Sequence, residues 1–145
     1  MSAPNDSPSR ATHGDGRATV VLNNPARRNA IGPVMVNELC HAFADAFADE
    51  GVRVVVLTGE GDKAFCAGGD FAQMSGESKL PHKGDYADLL LLMLRAPKPI
   101  IARVNGHAMG GGLGLVAASH FAIGVESAKL GTPEIDVGLF PMMIM

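Results

Sequence analysis

Glycine constrains this chain more than any other residue type: eighteen occur in 145 residues, and two tight groups stand out among them. One is Cys66-Ala67-Gly68-Gly69-Asp70, and the other is Gly110-Gly111-Gly112 at the end of Asn105-Gly106-His107-Ala108-Met109. Each follows strand-like residues and precedes a segment with helical character, so the chain turns from strand to helix there with little side chain in the way. Unpaired backbone N–H groups then point outward near the positive end of a helix, where an anionic or polarised oxygen can approach closely. Two such donors converging on one oxygen would form an oxyanion hole. The plainer alternative is that the glycines serve only tight turning.

The segments around these loops alternate in character. Ala18 to Leu22 reads as a strand stopped by Asn23-Asn24-Pro25. Pro33 suits a first helical turn, Val36, Leu39, Cys40, Phe43 and Phe47 form one apolar stripe, and Gly51 is expected to cap the helix. Val52 to Thr58 is an unbroken β-branched and aliphatic run, as in a strand covered on both faces. A helix is expected over Tyr86 to Arg95, a strand over Ile100 to Val104, and a small-residue helix over Leu113 to Ser119. Phe121 to Gly124 reads as a further strand, with Ala128 to Gly131 a candidate for another. No repeat of fixed period is visible. Strands alternating with helices favour an α/β architecture with parallel pairing.

An apolar content of 47% is material for a single core, which the length also favours. Residues 1–16, rich in Ser, Pro, Asn, Asp and Gly, are expected to be a disordered tail, with one domain over 17–145. Twelve Lys and Arg against fifteen Asp and Glu leave a net charge of -3 without a basic block, which argues against a nucleic-acid partner. No apolar run is long enough for a membrane span, and the first residues lack a secretory pattern, so the expected setting is cytoplasmic, with Cys40 and Cys66 as free thiols. The last stretch, Val137 to Met145, has no charged or amide side chain; either a partner covers it or the chain is cut short.

The glycine loops supply donors and no base. Glu134, in the rigid turn Gly131-Thr132-Pro133-Glu134-Ile135 between apolar segments, is the best-placed general acid/base, the alternative being a solvent-facing turn residue. Asp70, ahead of Phe71 to Met74, fits a helix N-cap. His107 has no carboxylate or serine at triad spacing and reads as a loop residue satisfied by backbone. No His or Cys pairing has metal-ligand spacing, so no metal site is expected. Arg27 and Arg28 are either solvated loop charges or a landing point for a phosphorylated ligand. A rival reading is dinucleotide binding, since Gly112 to Ala117 fits G-x-G-x-x-A with Glu126 as the ribose acid; against it, seven residues separate Val104 from Gly112.

Taken together, Asn24-Pro25 to Arg28-Asn29-Ala30, Ala64-Phe65-Cys66-Ala67-Gly68-Gly69-Asp70, Asn105 to Gly112, and Thr132-Pro133-Glu134 with Val137-Gly138-Leu139 resemble the enoyl-CoA hydratase/isomerase, or crotonase, family. The resemblance runs from about residue 18 to the end but covers only about the first half of a usual member. It implies a crotonase-like spiral of β-β-α units, truncated at the C-terminus, and an acyl-CoA thioester as substrate. Coenzyme A then enters as part of the substrate, and no separate cofactor is implied. By the same resemblance, Gly69 and Gly111 hold the thioester oxygen, and Glu134 transfers the proton. The substrate is held around Arg28, Ala30, Ala64, Ala67, Gly68, Asp70, Phe71, Gly110 and Pro133. The family's usual first glutamate is replaced by Gly114, a pattern resembling its double-bond isomerases and some specialised hydratases, and a non-catalytic CoA-binding or assembly protein is a further alternative. Full-length members assemble as trimers or dimers of trimers through C-terminal helices that do not occur before Met145, so the 145-residue chain alone is expected not to be a competent enzyme.

Overall fold

Every second residue of the central strands turns to the same side, and those residues match across the sheet. The structure, a computed structural model, describes residues 9–70, 76 and 78–141, and of 9–13 the backbone alone. Strands β2 (Arg17–Leu22) and β3 (Val54–Gly59) run parallel with Ala18 beside Val55 and Val20 beside Leu57. Strand β5 (Ile100–Val104) continues the row, with Ile100 beside Val55 and Ala102 beside Leu57. All of these side chains are fully buried. Helix α1 (Pro33–Ala48) lays Leu39, Cys40, Phe43 and Ala46 into the same core, and Phe47 packs on Phe43 with ring centroids 5.8 Å apart. Helix α2 (Tyr86–Leu94) adds Leu89 and Met93, its first turn fixed by an Asp85/Asp88 capping box.

Two sheets result. A five-stranded sheet has the order β1-β2-β3-β5-β7, with β1 at Ser9–Gly14 and β7 at Phe121–Gly124. A three-stranded sheet is built from β4 (Ala64–Cys66), β6 (His107–Met109) and β8 (Leu130–Gly131), all parallel. The chain enters the large sheet, steps to the small one and returns through a helix: β3-β4-α2, then β5-β6-α3, with α3 at Gly111–Ala117. The β-β-α spiral implied by the resemblance is therefore present. Its period is invisible in sequence because the first unit carries a long segment between β4 and α2 and the second does not.

Three expectations need correction. Residues 1–16 are not all tail: Ser9–Gly14 pairs antiparallel with β2 through a two-residue turn in which Asp15 and Gly16 both have positive φ, 55° and 76°. Gly51 does not cap α1; the helix stops when Asp49 turns extended, and the Gly51 N–H donates to Asp49 Oδ1 at 2.8 Å. The third helix begins at Gly111 rather than Leu113. Both glycine loops follow strands of three residues, β4 and β6, too short to show a pattern of their own.

Among the described residues strand β7 pairs with β5 alone, and its four residues are exposed, Phe121 at 65% and Ile123 at 68%. Val125, Leu130, Ile135, Val137, Leu139 and Phe140 are exposed as well. Residues 142–145 lie outside the described residues.

Candidate functional site

The first glycine loop is built as a piece of extended chain against the Arg28-to-Ile31 segment. Ile31 N–H donates to the Gly68 carbonyl at 2.7 Å and Asp70 N–H to the Ile31 carbonyl at 2.8 Å, a parallel bridge centred on Gly69. Ala67 N–H donates to the Arg28 carbonyl at 3.0 Å. Amides alternate in direction along an extended chain, so with Gly68 and Asp70 bonded toward Ile31 the Gly69 N–H faces the other way. Burial alternates in step: Gly68 and Asp70 are buried, Ala67 and Gly69 exposed.

Asn29 makes that platform rigid. Fully buried and left-handed at φ 56°, it accepts from Asn24 N–H at 2.9 Å and donates to the Glu60 and Ala64 carbonyls at 3.0 and 2.9 Å. Arg28, at φ 53°, presents an exposed side chain, and Ala30 closes the turn by donating to the Arg27 carbonyl at 3.1 Å. Arg27 and Asp70 are joined: Nη2 donates to Oδ1 and Nε lies beside Oδ2, both at 2.7 Å, with the Asp70 side chain 3% exposed. Asp70 is thus half of an ion pair, and the helix it was expected to cap lies outside the described residues, as does Phe71.

The second glycine loop packs directly onto the first. A Cβ on Gly68, whose φ is +101°, would lie 3.0 Å from the Met109 carbonyl oxygen and 3.7 Å from the Gly111 nitrogen. A Cβ on Gly112 would strike the Cys66 carbonyl oxygen at 2.5 Å. Glycine is required at both places because backbone touches backbone. Gly111 is the first residue of α3, so its N–H has no partner inside the helix. The two segments singled out by composition are therefore in van der Waals contact. Behind them, burial pushes the Cys66 thiol up to about 12, outweighing the Gly68 N–H that donates to its sulfur.

Glu134 reaches this junction from a 3₁₀ turn, Pro133–Val137, that follows β8. Gly110 N–H donates to the Gly131 carbonyl at 2.9 Å, which ties the end of β6 to that of β8 and carries Glu134 inward. A Cβ on Gly110 would lie 2.5 Å from Glu134 Oε1, so the carboxylate rests on the glycine's open face. Glu134 Oε2 is buried, with no hydrogen-bond partner among the described residues. Pro133, one residue earlier, is exposed.

Tyr86, at the start of α2, was not among the sequence candidates. Its hydroxyl donates to the Gly111 carbonyl at 2.5 Å, and its ring carbon Cζ would be 3.5 Å from a Cβ on Gly111. Burial, then the Cys66 thiol and the Glu134 carboxylate, push the phenol above its ordinary range. His107 stands apart, its Nδ1 accepting from Lys129 N–H at 3.1 Å. Gly112 and Gly114 are buried inside α3, and Glu126 is exposed in a turn. The glycines of the rival dinucleotide pattern thus belong to helix packing rather than to a phosphate-binding strand-to-helix turn. Among the described residues no three His, Cys, Asp or Glu side chains gather as a metal site would need, and no helix is long and apolar enough to cross a membrane.

Comparison with known proteins agrees with this arrangement. A sequence profile of the enoyl-CoA hydratase/isomerase family matches residues 13–145. A Thermus thermophilus protein bearing the name of an enoyl-CoA hydratase is 41% identical over 133 residues, covering 88% of this chain and 52% of the relative. Among solved structures, an enoyl-CoA hydratase from Shewanella pealeana superposes with a TM-score of 0.82 at 30% identity, over 94% of this chain and 53% of the other. An enoyl-CoA hydratase/isomerase from Marinobacter aquaeolei gives 0.81 at 31% identity, over 94% and 55%. The chain thus spans about half the length of the relatives it matches. With a profile match from residue 13 to residue 145 and the fold of these structures, the chain belongs to the enoyl-CoA hydratase/isomerase family.

Proposed function

We propose that the junction of the two glycine loops binds an acyl-CoA thioester and that Glu134 moves a proton on the carbon chain beside it, in hydration or double-bond shift of an enoyl-CoA. Removing a proton next to a thioester, or adding to a double bond conjugated with it, places negative charge on the thioester oxygen. The N–H groups of Gly69 and Gly111 are the donors assigned to that oxygen. The observation that carries the reading is the seat of Glu134: a carboxylate whose Oε1 lies against Gly110, the residue before one proposed donor.

The remaining contacts of the proposal follow the strip of chain beside the donors. Arg28, Ala30, Ala64, Ala67 and Gly68 are assigned to the adenine and pantetheine parts, and Asp70, Gly110 and Pro133 to the acyl end; Phe71, also assigned to the substrate, lies outside the described residues. The only cofactor chemistry needed is the coenzyme A of the substrate itself. A single carboxylate can carry a proton from one carbon to another, whereas ordinary hydration uses a second one to place water, and position 114 is glycine. The double-bond shift is therefore the favoured half of the proposal. Assembly into a trimer, or a dimer of trimers, is assigned to the chain completed to its relatives' length.

The test is a parallel assay with 2-enoyl-CoA and 3-enoyl-CoA, on this chain and on a chimera completed with the second half of the Thermus relative. Water addition gives a hydroxyacyl product and a double-bond shift gives an isomer, so the products separate the two. Calorimetry with CoA esters and with NAD runs beside it. NAD binding without CoA binding would overturn the proposal, and CoA binding without turnover by the completed chain would favour a non-catalytic CoA-binding role.

A further inference from the structure

Three consecutive glycines offer no side chains by which packing could hold their peptides, so beyond the hydrogen bonding of α3 itself whatever fixes Gly110-Gly111-Gly112 must come from other elements. Each glycine meets such restraints. Gly110 is held by the Gly131 carbonyl and the Glu134 carboxylate, and Gly112 by the backbone and Cβ of Cys66. Gly111 opens α3, whose own hydrogen bonding engages its carbonyl, and Tyr86 adds a restraint from another element: the phenol donates to that carbonyl at 2.5 Å while the ring and Ile31 Cδ1 flank its open face at 3.5 Å. Gly111 is also the residue whose N–H is assigned to the thioester oxygen.

We infer that Tyr86 is a positioning residue for oxyanion stabilisation, its hydroxyl holding the Gly111 carbonyl, one peptide beyond the Gly111 N–H, so that the first turn of α3 and its amide donor are aimed before the substrate arrives. This rests on the proposed function above and deepens it. The donor gains most when no reorganisation is needed at the moment charge develops, and a glycine-only turn is the least able to supply that by itself. The surroundings suit a permanent donor. Burial together with the nearby Cys66 thiol and Glu134 carboxylate keeps the phenol protonated, so the hydroxyl offers its hydrogen at any working pH. The base of the pin is firm as well, since Tyr86 is the first residue of a helix closed by the reciprocal Asp85 and Asp88 bonds at 3.0 Å.

The probe is acetoacetyl-CoA, a β-ketothioester whose enolate has its own near-ultraviolet band, titrated into the completed chimera and into its Tyr86→Phe form. Phenylalanine keeps the ring against Gly111 and removes only the hydroxyl. The inference expects acetoacetyl-CoA affinity within about threefold of the parent, unchanged circular dichroism, and an enolate band reduced about tenfold at saturation, since misaimed donors lose charge stabilisation while the CoA contacts remain. Tyr86→Leu, which also removes the ring, should lose the band further. An undiminished band in Tyr86→Phe at saturation would overturn this inference and leave the proposed function standing. Failure of the completed chimera to bind acetoacetyl-CoA, or binding without an enolate band, would overturn the proposed function and this inference with it.

Discussion

Replacing Gly110 by alanine should disable the site without unfolding the chain, and the geometry says why. Gly110 has φ 51° and ψ -121°, a region an L-residue enters at a cost on the order of 1–3 kcal/mol. The new methyl would also sit 2.5 Å from Glu134 Oε1, well inside the 3.4 Å at which ordinary contact begins. The atom in the way is the far end of a flexible side chain, so the carboxylate gives way rather than the backbone. The expected stability loss is therefore close to the strain alone, about 1–3 kcal/mol. Loss of the carboxylate's seat should cost turnover by the factor typical of general acid/base action, on the order of 10²- to 10⁴-fold. Gly138→Ala is the control: Gly138 also has a positive φ, 73°, but nothing lies within 4 Å of its Cβ position. It should lose about 1–2 kcal/mol from left-handed strain and keep its turnover. Urea unfolding and enoyl-CoA turnover of both variants in the completed chimera make the comparison. Retained turnover in Gly110→Ala, or equal losses in the two variants, would refute the reasoning.

Three further outcomes follow from the same geometry. Asn29→Ala should cost about 2–4 kcal/mol in urea unfolding, since it removes three hydrogen bonds from a fully buried amide and puts alanine at φ 56°, and a loss under 1 kcal/mol would contradict the staple assigned to Asn29. For Cys66 the folded thiol titrates near 12 against 9.0 for the free group, so its stabilising contribution is complete below pH 9 and fades as the pH rises toward 12, by about 1.4 kcal/mol per pH unit. Cys66→Ala should flatten the alkaline limb of the stability curve; an unchanged slope would show that the thiol contributes nothing there. The apolar residues of β7 and of 135–140 should bind a hydrophobic dye in this chain and bind less in the chimera, and equal dye binding would show that the added half does not cover them.

Much of this architecture was readable because its causes are local. The α1 stripe, the apolar runs of β3 and β5 and the prolines that stop them depend on residues near one another in sequence. Strand β1 was missed although Asp15-Gly16, a hairpin signal, stood in plain view; the polar composition before it suggested a tail. Gly51 was misassigned because glycine near the end of a stripe is ambiguous, and α1 stops two residues earlier, where Asp49 turns extended. In the site, Gly68, Gly69, Gly110, Gly111 and Glu134 were all visible as residues. Two things were not: that a carboxylate 24 positions later makes Gly110 obligatory, and that Tyr86 reaches Gly111. Both are contacts between distant segments, brought together by the spiral and by no local pattern.

The central claim is that Glu134 exchanges a proton with carbon next to a thioester. It is tested most directly by following hydrogen–deuterium exchange at the α-carbon of butyryl-CoA in deuterated buffer by proton NMR, with the completed chimera and its Glu134→Gln form. A saturated thioester can neither hydrate nor isomerise, so the signal reports proton abstraction alone. The account predicts exchange with Glu134 and a loss on the order of 10²-fold or more with glutamine, while butyryl-CoA affinity is unchanged. Equal exchange in the two forms, or none in either with the thioester bound, would contradict it.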